Sequence, residues 1–231
     1  MSEPATKDTP HYHGHRDRLR ERFVQGGADA LADYELLELL LFMVIPRRDV
    51  KPLAKDLIKR FDNLAGVLNA PLPALAEFDG LSETSAIALI AVGSAGQRML
   101  KQDMLNKPVL NSGARLMDYC RATLAHEPRE HFRLLFLNKK NELIADEIQQ
   151  SGTVDHTPAY PREIMKRALE LGATAIILCH NHPSGDAKPS KDDIVMTDAV
   201  VAAGKPLNIM IHDHIIVSKN GATSFRNLGL I

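Results

Sequence analysis

The sequence of 231 residues contains no tryptophan, and aromatic residues make up only 5% of it. A folded core must therefore be built mainly from aliphatic side chains and methionine. The two cysteines, Cys120 and Cys179, are too few for a disulfide scaffold, and Cys179 lies within an apolar segment. We interpret both as buried, inert thiols in a reduced, cytoplasmic protein.

The sequence also lacks an excess of charge and a long apolar segment. Its formal net charge is -1, so the chain as a whole has no electrostatic attraction for nucleic acid or for an anionic membrane. The longest apolar stretch, residues 36–45, is interrupted by Glu38 and is too short to cross a bilayer. The first 25 residues are polar and have no signal-peptide pattern. We expect a cytoplasmic protein that has no membrane partner.

One segment in the C-terminal half is rich in potential metal ligands. Residues 174–179 have the length and composition of a strand that is buried on both faces, and His180-Asn181-His182-Pro183 follows them directly. Because side chains alternate along a strand, His180 and His182 should project from the same face at its end. Pro183 cannot continue the hydrogen bonding of a strand. The pattern predicts two imidazoles close enough to bind one metal ion.

A helix should begin after the polar loop that follows Pro183. Ser190 and Asp193 have the Ser-Xaa-Xaa-Asp spacing of a capping box, and the apolar pattern that follows ends at Gly204. Asp193 could therefore be a helix cap or a third metal ligand, and spacing alone does not distinguish these roles. Two histidines and one aspartate, with a fourth position open, would be the ligand set of a hydrolytic zinc site.

The spacing His180-Xaa-His182, seven residues, Ser190, two residues, Asp193 resembles the signature of JAMM (MPN+/JAB) metalloproteases. The resemblance is closest to the bacterial RadC family, over residues 112–231, and it implies an α/β fold: a cytidine-deaminase-like MPN/JAB domain with a mixed sheet flanked by helices. Four segments carry it, namely Pro161-Arg162-Glu163, His180-Asn181-His182-Pro183-Ser184-Gly185, Pro189-Ser190 and Asp213-His214-Ile215-Ile216-Val217.

The resemblance also implies a function. The protein would be a zinc-dependent hydrolase that cleaves a peptide or isopeptide bond in a protein or peptide substrate with metal-activated water. His180, His182 and Asp193 would hold Zn²⁺, and Ser190 would donate a hydrogen bond to the developing oxyanion. In JAMM enzymes a glutamate on an early strand, tens of residues before the His pair, serves as the general base.

Three glutamates are candidates for that base. Glu130 lies 50 residues before His180, at the start of the strand predicted over residues 132–137. Glu142 and Glu147 lie on the second strand of the same predicted hairpin. We favour Glu130 because it stands at the start of the matching strand.

A further polar group, His212-Asp213-His214, interrupts the last long strand region predicted from the sequence. It could be a second metal site, or it could support the first one. Because a ligating histidine normally has an oriented acceptor behind it, Asp213 is a candidate for that acceptor.

The N-terminal part is predicted to be helical over residues 15–103, after a disordered tail at 1–14 and before a linker at 104–111. It resembles the helix-hairpin-helix domain of RadC proteins, a unit that binds DNA phosphate through backbone N–H groups of a Gly-apolar-Gly loop. Gly80 and Leu81 fit that loop, but Ser82 occupies the second glycine position and Glu83 follows it.

DNA is therefore a weakly supported partner. Residues 1–105 contain 13 Lys and Arg against 15 Asp and Glu, and the main argument for DNA is the cluster of Arg16, Arg18, Arg20 and Arg22. Without DNA binding, the N-terminal domain would be a packing or partner module. The alternative function is a DNA-associated recombination or repair accessory protein with a structural or vestigial metal site. The sequence gives no indication of the oligomeric state.

Overall fold

The computed structural model describes residues 14–105, 108–109, 113–151 and 160–231. Residues 1–13 of the predicted tail and residues 106–107 and 110–111 of the predicted linker lie outside this part of the chain. The chain divides into two compact units, one ending at Ser94 and the other beginning at Ala95. In the described ranges, no helix is both long and apolar enough to span a membrane.

The first unit is helical throughout its regular secondary structure. Its second helix begins at Asp33, where Glu35 accepts a hydrogen bond from the backbone N–H of Ala32, and it ends at Val44, just before Pro46. A short 3₁₀ turn at Ala28–Ala30 precedes this helix. The α-helices are α1 (His15–Gly26), α2 (Asp33–Val44), α3 (Lys51–Phe61), α4 (Leu64–Leu68), α5 (Leu72–Ala76) and α6 (Glu83–Leu105), the last of which continues past the division between the units.

Packing rather than helix propensity stabilises this unit. Two of its helices have only five residues, which is too short for an isolated helix in water. Aliphatic side chains from several helices meet in one cluster instead, in which Leu37, Leu57 and Val67 are completely buried. This confirms that aliphatic residues build the core of a chain that is poor in aromatics.

The second unit is built on a mixed five-stranded sheet, with strand order β2-β1-β3-β4-β5. The β3–β4 pair is parallel, and the other neighbouring strands are antiparallel. Helices and strands together confirm the predicted α/β class. The elements are α7 (Gly113–Leu124), β1 (His131–Leu137), β2 (Leu143–Ser151), α8 (Pro161–Glu170), β3 (Ala175–Asn181), α9 (Lys191–Gly204), β4 (Met210–Ser218) and β5 (Gly221–Ser224), with a 3₁₀ turn at Lys205–Leu207.

Strand β3 lies at the centre of the sheet, and all seven of its residues are buried. One face of the sheet packs against α7 and residues near the end of α6, and this core contains the two free thiols of Cys120 and Cys179. The opposite face packs against α8 and α9. The burial of Cys179 on the α7 face therefore agrees with the prediction of a strand covered on both sides.

Strand β4 is continuous, so the predicted interruption at residues 212–214 is wrong. The polar group is accommodated by a register shift: Ile176 pairs with Ile211, but Ile177 pairs with Asp213. One extra residue, His212, therefore lies in β4 at a bulge. The shift pairs His214 with Leu178, which places it on the same face of the sheet as His180.

Two glycines of α6, one turn apart, should respond oppositely to alanine. In Gly93→Ala the added Cβ would lie 2.4 Å from the carbonyl oxygen of Leu68, and such overpacking costs about 1–3 kcal/mol. In Gly96→Ala the Cβ meets no heavy atom within 4 Å, so helix propensity should stabilise the protein by about 0.5–1 kcal/mol. Chemical denaturation measures both effects. Equal stability of the two variants would contradict the close contact at Gly93.

Candidate metal centre

Three potential ligands converge at the C-terminal end of β3. His180 lies in the strand, His182 follows its last residue, and Asp193 lies in the first turn of α9. His180 Nε2 is 2.9 Å from His182 Nε2 and 3.2 Å from Asp193 Oδ1. His182 Nε2 is 3.5 Å from Asp193 Oδ2. The predicted projection of both histidines to one side is therefore observed.

These spacings suit a divalent metal ion. Zinc–nitrogen and zinc–oxygen bonds in a tetrahedral arrangement require neighbouring ligand atoms to be about 3.3 Å apart. The three measured spacings, 2.9, 3.2 and 3.5 Å, lie around that value. Within the described residues, these three side chains form the group of His, Cys, Asp and Glu that could hold a metal ion. Two imidazoles and a carboxylate are also donors that zinc accepts.

Both carboxylate oxygens of Asp193 face a histidine of the pair, Oδ1 facing His180 and Oδ2 facing His182, and Oδ2 also takes part in the helix cap. Oδ2 accepts hydrogen bonds from the backbone N–H of Ser190 at 2.7 Å and from the Ser190 hydroxyl at 2.6 Å. Ser190 Oγ in turn accepts the backbone N–H of Asp193 at 3.1 Å, which completes the predicted capping box. Oδ1 faces His180. Capping and ligation are therefore compatible roles of this one side chain.

The negative charge of Asp193 and a positive charge on His182 stabilise each other. Burial alone would raise the pKa of Asp193, but hydrogen bonds with His180, His182 and Ser190 outweigh it and hold that pKa well below its usual range. The hydrogen bond with Asp193 raises the pKa of His182 above its ordinary value, against the opposing effect of burial. Protons and a metal ion therefore compete for His182 Nε2, and the competition favours the proton as pH falls.

Each histidine of the pair has a partner behind it. His182 Nδ1 lies 2.8 Å from the carbonyl oxygen of Asp186, and His180 Nδ1 lies 2.8 Å from His214 Nε2. His214 is completely buried, and this burial lowers its pKa well below the ordinary value. The acceptor predicted at Asp213 is therefore provided by His214 instead.

Comparison with protein-family models agrees with this fold. A family model described as the RadC-like JAB domain matches residues 110–230, more than half of the chain. The chain belongs to the RadC family. A second model, described as UPF0758 N-terminal, matches residues 12–87. The resemblance identified in the sequence is confirmed, and the likeness of the first unit to a helix-hairpin-helix domain stays a prediction.

In this RadC-family chain, the three residues of the His212-Asp213-His214 group are directed to different places. His212 Nε2 lies 2.7 Å from Asn141 Oδ1. Asp213 accepts the Ser224 hydroxyl at 2.6 Å and the backbone N–H of Arg226 at 3.0 Å. Of the three, only His214 reaches the candidate ligands. His212 bonds to the β1–β2 turn and Asp213 bonds to the β4–β5 corner, so these residues support the fold and the site and do not form a second metal centre.

Glu130 lies close to the candidate metal centre. It immediately precedes β1, whose Phe132 pairs with His180. Its charge adds a smaller contribution to the raised pKa of His182, of which the hydrogen bond with Asp193 is the main cause. Asn181, the residue between the two histidines, fixes this segment: its Oδ1 accepts the backbone N–H of His131 at 2.8 Å, and its Nδ2 donates to the carbonyl oxygen of Arg129 at 3.0 Å. Sequence reasoning missed this role of Asn181.

The other two candidate glutamates are engaged elsewhere in the hairpin. Glu142 accepts a hydrogen bond from Asn138 at 2.8 Å, in the turn at the far end of β1 from His180. Glu147 forms an ion pair with Arg167, with its shortest contact at 2.6 Å. Strand β1 lies between Glu147 and the strand that carries the histidines.

Protein groups in the first unit engage most of the clustered arginines. Arg22 pairs with Glu35 at 2.7 Å, and Arg20 pairs with Asp17 at 3.1 Å. Arg16 donates to the carbonyl oxygens of Ile45 and Arg48. The charges that most favoured DNA are thus used at least partly to hold the unit together.

Gly80, in the predicted Gly-apolar-Gly loop, has a φ of 86°, which is typical of a glycine turn.

Asp193→Asn should separate ligation from capping, since an amide oxygen can still cap the helix but binds zinc poorly. We expect a loss of zinc affinity greater than the ~10–100-fold loss typical of residues that only support a ligand. Asp192→Asn is the matched control, because Asp192 is the exposed neighbour in the same turn. Competition with a chromophoric chelator gives both affinities. Equal affinities of the two variants would exclude Asp193 as a ligand.

Proposed function

We propose that this chain is a zinc-dependent peptidase or isopeptidase of the JAMM type. The observation that carries the proposal is the convergence of His180 Nε2, His182 Nε2 and the Asp193 carboxylate, with spacings of 2.9, 3.2 and 3.5 Å that suit a tetrahedral site. The charge of Glu130 also acts on His182. The RadC-like JAB match supports it, because that domain belongs to a superfamily that includes metalloproteases. The donor set also leaves room for one further ligand, as hydrolytic zinc sites require.

The three metal ligands and Glu130 would have separate roles in the reaction. A bound zinc ion would polarise the scissile carbonyl and lower the pKa of an attacking water from ~16 toward ~7. His180, His182 and Asp193 would hold the ion in place. The Glu130 carboxylate would accept a proton from the attacking water and then deliver it to the leaving amine, acting first as general base and then as general acid.

Ser190 would stabilise negative charge on the substrate carbonyl oxygen. In the structure its hydroxyl donates to Asp193 Oδ2 at 2.6 Å, so the hydroxyl stands at the edge of the ligand group. For the proposed role it must turn from this carboxylate oxygen to the substrate. The helix start need not be lost in that step, because the Ser190 backbone N–H still bonds to Asp193 at 2.7 Å.

Glu130→Gln should lower kcat by about 10²–10⁴-fold, because an amide cannot accept the proton. Zinc affinity should be almost unchanged, since Glu130 is outside the predicted ligand set. Rates are measured by mass spectrometry on zinc-loaded protein, with a library of linear and isopeptide-linked peptides as substrate.

Glu142→Gln is the control for this experiment, because Glu142 lies in the distant turn and contacts Asn138. It should retain the wild-type rate. If His182→Ala abolishes cleavage while Glu130→Gln retains it, the base is wrongly assigned. If zinc-loaded wild type cleaves no member of the library, the proposed peptidase function is wrong for these substrates.

Ser190→Gly tests the oxyanion role with little effect on the helix cap, because Ser to Gly at an N-cap costs only a few tenths of a kcal/mol. Loss of the hydroxyl should lower kcat by about 10²–10³-fold, as for other oxyanion donors. Ser190→Thr keeps the hydroxyl and should restore much of the rate. An unchanged kcat in Ser190→Gly would remove Ser190 from the mechanism.

A DNA-associated role stays a prediction without a specific structural observation in its favour. It would depend on the first unit, in which Arg16, Arg20 and Arg22 already bind protein groups. The carboxylate of Glu83 also stands in the first turn of α6, where a DNA phosphate would have to bind.

A further inference from the structure

A series of hydrogen bonds connects two of the candidate metal ligands, His180 and Asp193. His180 Nδ1 lies 2.8 Å from His214 Nε2, and His214 Nδ1 lies 2.7 Å from Thr197 Oγ1. Thr197 Oγ1 lies 2.5 Å from the backbone carbonyl oxygen of Asp193. His180, His214 and Thr197 each have 1% or less of their surface exposed, so solvent does not offer them other partners.

The carbonyl oxygen of Asp193 determines which group donates in each of these hydrogen bonds. A carbonyl oxygen only accepts, so the single hydroxyl hydrogen of Thr197 must point at the carbonyl of Asp193. The Thr197 oxygen is then an acceptor for His214, which must carry its hydrogen on Nδ1. Because His214 is neutral in its buried position, its Nε2 has a lone pair.

The same donor and acceptor argument determines which nitrogen of His180 carries the hydrogen. His214 Nε2 can only accept, so His180 must carry a hydrogen on Nδ1 and donate it. A neutral His180 then has its lone pair on Nε2, the atom that faces His182 and Asp193. For His182 the same selection is direct, since its Nδ1 faces the carbonyl oxygen of Asp186 at 2.8 Å.

We propose that Thr197 is a positioning residue which, through His214, fixes His180 in the tautomer that presents Nε2 to a metal ion. This inference rests on the metal-binding part of the proposed function and goes beyond it, because Thr197 touches neither ion nor substrate. Without the Thr197 hydroxyl, the order of donors and acceptors in these hydrogen bonds is no longer fixed. His214 could then donate from Nε2 to His180, and the His180 hydrogen would move to the ligand atom.

A pair of substitutions separates this role from simple packing. Thr197→Val keeps the shape and removes the hydroxyl, whereas Thr197→Ser keeps the hydroxyl and removes a methyl group. If Thr197 only packed, valine would be tolerated better than serine. The positioning role requires the opposite order: Thr197→Val should lose about 10–100-fold in zinc affinity, and Thr197→Ser should retain most of it.

Zinc affinity is measured by chelator competition, with the thermal stability of each metal-free variant as a check on folding. The second measurement is the two-bond ¹H–¹⁵N correlation spectrum of histidine-labelled, metal-free protein at mildly alkaline pH, which reports the tautomer of His214 directly. The wild type should show the Nδ1–H form, as should Thr197→Ser, and Thr197→Val should lose it. A wild-type His214 protonated on Nε2, or a greater loss of affinity in Thr197→Ser than in Thr197→Val, would overturn the proposal.

These readouts do not depend on catalysis. A wild type with the expected tautomer and the expected order of zinc affinities, but without peptide cleavage, would refute the proposed peptidase and leave the role of Thr197 standing. Cleavage by a protein in which His214 carries its hydrogen on Nε2 would do the reverse.

Discussion

The candidate site depends on the Asp193 carboxylate, which both caps α9 and faces the histidines. Oδ2 of Asp193 closes the capping box with Ser190, and Oδ1 faces His180 at 3.2 Å. The cap holds the first turn of α9 in a fixed position, so Oδ1 is held near His180 Nε2 in a single side-chain conformation. Helix initiation and ligand placement thus depend on the same side chain in this fold, and loss of both of its oxygens, as in Asp193→Ala, would disturb both.

A polar group of this size within a core is tolerated only when every member has a partner. On the α9 side of the sheet, the buried His180, His214 and Thr197 bond to one another and to a backbone carbonyl. Aromatic rings surround the histidines: Phe132 stacks on His180 with ring centres 6.0 Å apart, and Phe225 lies 4.5 Å from His214. The rings keep water away, so the hydrogen bonds gain strength from the low dielectric constant around them.

The sequence was sufficient to predict the strand before His180, the helix after Ser190 and the two histidines on one side, because each depends on neighbours in sequence and on a fixed period. The placement of His214 and Thr197 beside the ligands could not be predicted in this way. They are 34 and 17 residues apart from their partners His180 and His214, and a bulge in β4 decides which face His214 occupies. No periodic pattern encodes such a shift of one residue.

The alternation of side chains along β3 also explains the choice of Asn181. Its neighbours point toward Asp193, so Asn181 must point to the other side of the strand, where it bonds to the segment before β1. An asparagine suits this position because it both donates and accepts, as the backbone of Arg129 and His131 requires. One tripeptide therefore provides two ligands on one face and holds the segment of Glu130 from the other. A slip of one residue in the pairing of β1 with β3 would displace the ligands and the proposed base together.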